Sequence, residues 1–82
     1  MDFTKGMVVI SRAGRDSGYP MAVVDVKDGF VFVCDGKERP LERPKKKNPL
    51  HLAATKKTIQ LDNITNRKLR TVLREHIAEE SE

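Results

Sequence analysis

The sequence predicts a small, mainly β domain: a compact barrel followed by one C-terminal α-helix. Three observations carry that prediction. Short apolar runs rich in β-branched residues recur through the N-terminal half, Asp-Gly pairs punctuate them, and the apolar spacing turns helical only in the last segment. The chain has 82 residues, which allows one domain. A chain this short buries only about 60% of the surface its unfolded form exposes, so its core is thin. Phe3, Tyr19, Phe30 and Phe32 are the only aromatic residues, and the core must rest on Val, Ile, Leu and Met.

The elements follow in chain order. "KGMVVISR" predicts a first strand, with Met7 to Ile10 as its apolar run. "PMAVVDVKD" predicts a second, with Ala22, Val24 and Val26 on one side and Met21, Val23 and Asp25 on the other. "FVFVCD" predicts a third. Asp28-Gly29 lies between the second and third, and a tight type I′ hairpin needs positive φ at both central positions, which this pair tolerates. Pro40, Pro44 and Pro49 then break the pattern, because proline cannot donate to a ladder; an extended loop or a broken edge strand is expected there. "LHLAAT" and "KTIQLD" are expected to supply two more short strands. In "NRKLRTVLREHIAEE", Leu69, Val72, Leu73, His76 and Ile77 share one helical face, with Asp62 or Thr65 as the cap. The expected boundaries are a barrel over 1–62, including a basic segment 37–57, and a helix region over 63–82.

Formal net charge is +4, and its distribution is uneven. Lys37, Arg39, Arg43, Lys45, Lys46, Lys47, Lys56 and Lys57 crowd one segment against only Glu38 and Glu42, while the flanks are nearly balanced. Such a segment suits a polyanionic partner. Cys34 is the only cysteine, so no intrachain disulfide and no thiolate zinc site can form. "MDFTKGMVVISR" lacks the basic start and apolar run of a signal peptide, and no apolar run reaches membrane-spanning length. A cytoplasmic protein without cofactor, metal, membrane or small-molecule substrate is expected.

The stretch "SRAGRDSGYP" admits three readings. A serine nucleophile at Ser17 needs a histidine base oriented by a carboxylate. The only histidines, His51 and His76, fall in a basic stretch and in the helix. A nucleotide-phosphate loop needs a helix after its glycines, and here Pro20 and another strand follow. The third reading is a strand-to-strand loop. Gly14 and Gly18 supply unusual backbone angles, Asp16 and Ser17 hold the turn, and Arg12 and Arg15 project as planar forks suited to phosphate.

The pieces "SRAGRDSG", "VVDVKDG", "FVFVCDG" and "RPLERPKKKNPLHL", running from Ser11 to Leu52, resemble the KOW motif of SH3-like barrels. The resemblance is to the KOW-domain large-subunit ribosomal proteins of archaea and eukaryotes and to short bacterial proteins similar to them. It implies a small SH3-like β-barrel that binds RNA, ribosomal RNA foremost, with no catalysis. One position departs from the pattern: where many KOW loops carry a further glycine three residues after the one matched by Gly18, this chain has Met21.

The binding residues expected on this reading are Arg12, Arg15, Lys37, Arg39, Arg43, Lys45, Lys46, Lys47, His51, Lys56 and Lys57, joined by Arg67, Arg70 and Arg74 of the helix. The lysine triplet gains nothing from folding on its own, and the flanking prolines stiffen it for phosphate contact. The helix arginines form either a solvated face or an extension of the basic surface. Only the second offsets the cost of Arg67 and Lys68 at the positive end of the helix dipole. His51 is either exposed or in contact with RNA, His76 is expected to pack, and Tyr19 either stacks a base or packs on the barrel rim. Cys34 is expected to be a small buried apolar residue. Two other functions fit: an SH3-like protein-docking module, which would want an aromatic groove, or a regulator of other structured RNA.

Overall fold

Strand-forming residues and tight turns set up the N-terminal half. The computed structural model describes the backbone of residues 3–80 and the side chains of residues 3–75. Strands β1 (Met7–Ser11), β2 (Pro20–Lys27) and β3 (Phe30–Cys34) form an antiparallel meander. Asp28 and Gly29 link β2 to β3 with φ of 53° and 81°, both positive as the hairpin requires. Strand β4 (Lys45–Lys47) pairs with β3, a 3₁₀ turn covers Pro49–His51, and β5 (Leu52–Thr58) pairs with β1. The result is one five-stranded antiparallel sheet in the order β4-β3-β2-β1-β5, followed by helix α1 (Asn66–Glu80). Among the described residues no ladder joins β4 to β5, and no helix is long and apolar enough to cross a membrane.

Alternation along the strands buries both faces. Val9, Met21, Val23, Val31, Val33 and Leu52 make the inner cluster, with Phe3 and Met7 packed at its margin. Val8, Ala22 and Cys34 point the other way and meet Leu69 and Leu73 of α1. Leu52 of the β5 edge and Val31 of β3 share the inner cluster although two strands separate them in the ladder, so the sheet is strongly curled. Thr65 caps α1, its Oγ1 accepting from the Lys68 N–H at 3.1 Å. The helix has no acidic residue in its first turn and no basic residue in its last, the unfavourable arrangement expected from the sequence. The side chains of His76 and Ile77 lie outside the described residues.

The glycine before the basic segment fixes where the helix sits. Gly36 has φ of 81°, and a Cβ there would collide with the Asn66 carbonyl and the Arg70 Cγ. The first helical turn therefore lies directly on the β3 exit. Asn66 fastens the same junction, accepting from the Leu41 N–H at 2.7 Å and donating to Glu42 Oε1 at 2.8 Å.

Two sequence expectations change, and one open alternative resolves. Of the loop or edge strand expected in the proline-rich stretch, the edge strand holds for the lysine triplet between Pro44 and Pro49. "KTIQLD" does not form a strand of its own. Residues through Thr58 belong to β5, which bulges opposite Val8; Ile59 donates its N–H to the Gly6 carbonyl and packs against the helix-side cluster. Val26 does not share the Ala22 face. A bulge between Val23 and Asp25 shifts the register, so Val26 stands opposite Val31 of the inner face.

Candidate nucleic-acid interface

The β1–β2 loop is held from outside itself. Backbone bonds shape it: Ser17 N–H to Gly14 O, Tyr19 N–H to Asp16 O, and Gly18 N–H to Ser11 O at 2.7 Å. Gly14 and Gly18 both take positive φ. The clamp comes from β4. Lys47, only 8% exposed, sends its Nζ to Ser11 Oγ (3.1 Å), Ala13 O (3.1 Å) and Asp16 Oδ1 (3.0 Å). An ammonium has three protons, and these three acceptors use them all.

This arrangement corrects one expectation and extends another. Lys47 gains a great deal from the fold, and its charge is committed inside the protein rather than offered to a phosphate. Asp16 holds the loop through Lys47 and the buried Ser11 hydroxyl (3.0 Å), in addition to the local backbone hydrogen bond expected of it. Burial would raise the Asp16 pKa, but hydrogen bonds from Lys47 and Ser11, with the Lys47 charge, outweigh it and hold the carboxyl below its ordinary value. Its Oδ2 is buried without a partner, a desolvation cost that the ion pair must offset.

The β3–β4 segment is also ordered. Asp35 Oδ1 accepts from the N–H groups of Lys37 and Arg39, each at 2.8 Å. Arg39 O accepts in return from Asp35 and Gly36. Pro40 O accepts from Cys34 Sγ at 3.4 Å. Burial first, then the Asp35 and Glu42 charges, push the Cys34 thiol up to about 11, so it is a neutral packing group as expected.

These two supports bring most of the expected cations together. Arg15, Arg39, Lys45, Lys46 and His51 line one open depression between the loop and β4. Arg43 joins Arg39, Lys45 and Lys46 in an adjoining one. Arg15, Lys37 and Arg39 surround a third with Tyr19, and Lys37 also meets Arg70 and Arg74 of α1 in a fourth. The helix arginines therefore continue the basic strip, except that Arg67 does not line these depressions. Arg12 is exposed where the loop begins, its N–H donating to His51 O at 2.8 Å. Lys56 and Lys57 stand apart, at the far end of β5 on the opposite edge of the sheet. Lys46 also lies over the Phe30 ring, 4.2 Å from its centroid.

Sequence reasoning did not single out Ser11 and gave Asp16 only a local role. A signal was available: Ser11 ends an apolar run where the alternation calls for a buried side chain. No protein-family model matches this chain, and no curated protein matches it significantly.

Proposed function

We propose that this chain is a non-catalytic RNA-binding domain, an SH3-like barrel of the KOW kind, that engages ribosomal RNA or the ribosome in the cytoplasm. The observation that carries the reading is the placement of Arg15, Arg39, Arg43, Lys45, Lys46 and His51 on one strip built from segments far apart in sequence. Among the described residues none of these side chains is in an ion pair, whereas Lys47 is held by Asp16. An uncompensated basic strip on a fixed scaffold suits the phosphate backbone, which gives affinity without sequence readout. The curl of the sheet and its two bulges support the barrel. Ser17 lies exposed in a turn with only its backbone engaged, which supports a structural serine rather than a nucleophile.

The test is a salt titration of binding to a ribosomal RNA fragment and to an unrelated RNA duplex. Lys45→Ala with Lys46→Ala should flatten the slope of log K against log salt by roughly 1.5, with a similar loss on both RNAs. An unchanged slope and affinity would remove β4 from the binding surface and favour the protein-docking reading.

A further inference from the structure

We propose that the depression between the β1–β2 loop and the β3–β4 segment seats one unpaired guanine nucleotide of a bound RNA strand; this rests on the RNA-binding reading above. The depression is lined by Arg15, Lys37 and Arg39, by Asp16, Asp35 and Glu38, and by Tyr19. Its chemistry differs from that of the lysine-lined depression beside it. A plain phosphate track has no use for carboxylates; Asp16, which borders both depressions, is already neutralised by Lys47, which leaves Asp35 and Glu38, the latter at the border with the Arg43-lined depression.

Each lining group fits a part of a nucleotide. Tyr19 is 60% exposed and has no ring partner among the described residues, so a π-face is open for a base. Arg15 and Arg39 line the same depression, and their planar forks suit the phosphates that flank a stacked base. Asp35 is occupied by the Lys37 and Arg39 N–H groups. Glu38 is exposed and makes no hydrogen bond or ion pair among the described residues. An ionised carboxylate only accepts, through two adjacent oxygens. Among the bases guanine alone offers two adjacent donors on its pairing edge, N1–H and N2–H. Uracil presents one N–H between two carbonyls, and adenine and cytosine set one amino group beside an acceptor. The base must be unpaired, because in a duplex that edge and both faces are occupied.

The test uses the full chain with an oligouridine, the same strand carrying one central guanosine, and a blunt RNA duplex. Tyr19 is the only tyrosine, so its ring resonances in NMR need no further assignment. The guanosine strand should bind about tenfold more tightly than oligouridine and move the Tyr19 ring signals upfield. Tyr19→Leu should abolish that preference and leave duplex binding unchanged, while Tyr19→Phe should keep it. Glu38→Gln should lose the preference while tightening oligouridine binding, since a negative charge is removed. Equal affinity of the wild type for the two strands, or Tyr19 signals that do not move, would overturn the guanine seat and leave duplex binding standing. Failure to bind any of the three RNAs would overturn the RNA-binding reading with it.

Discussion

Lys46 and Lys47 are neighbours in one three-residue strand, and their ammonium groups face different worlds. Lys46 stands opposite Phe32 on the outer face, in solvent and over the Phe30 ring. Lys47 stands opposite Val31 on the inner face, and its charge ends in a cage of three oxygens. Lys45 shares the parity of Lys47, opposite Val33, but remains exposed. Parity in the strand and distance from the loop thus assign different work to identical side chains. One lysine builds the β1–β2 loop, and the other two border the strip that the loop completes.

The largest test of this contrast is Lys47→Met. It strands the Asp16 carboxylate, and breaking a buried pair costs several kcal/mol; because Asp16 keeps some solvent access, a loss of about 2–4 kcal/mol is expected. Urea unfolding measures it, and a loss below about 1 kcal/mol would erase the distinction between Lys47 and its neighbours. Adding Asp16→Asn to Lys47→Met should recover about 1 kcal/mol, because no uncompensated charge then remains. Asp16→Asn alone completes the cycle and isolates the coupling.

A pH series sharpens the comparison further. The Asp16 pKa is lower in the folded protein than its ordinary value near 3.8. Its stabilisation is therefore fully present above that value and lost as pH falls through the lower folded one. Unfolding midpoints measured from neutral pH downward should show this acid loss in the wild type, and Lys47→Met should show less of it. The smallest effects belong to the two exposed lysines. Lys45→Ala should change stability by no more than about 0.5 kcal/mol. Lys46→Ala should cost at most about 1 kcal/mol, through its contact with Phe30. A larger loss for Lys45 than for Lys47 would invert the assignment.

The parts of this protein visible in the sequence were those governed by local rules. Asp28-Gly29 needs no distant partner to turn, and the α1 stripe announces itself through Leu69, Val72 and Leu73. The bulges were not visible, because a bulge at Val24 or Thr55–Lys57 depends on the partner strand. The same limit left β4 open. Prolines on both sides allow an extended loop or an edge strand, and only the pairing Val31↔Lys47, Phe32↔Lys46 and Val33↔Lys45 decides for the strand. At the candidate interface the residue types were legible and their grouping was not. Arg15 and Lys45 come together because a lysine 31 residues away from Asp16 ties the loop down.

The lysine edge also bears on self-association. A sheet edge offers unpaired N–H and C=O groups to any strand that approaches, and another copy of the same chain is the most abundant candidate. Here β4 is one edge, short, flanked by Pro44 and Pro49, and made wholly of lysine. The other edge, β5, bulges and ends in Lys56 and Lys57. A strand that approached the β4 edge would have to lie along a row of lysines, which disfavours edge-to-edge pairing there.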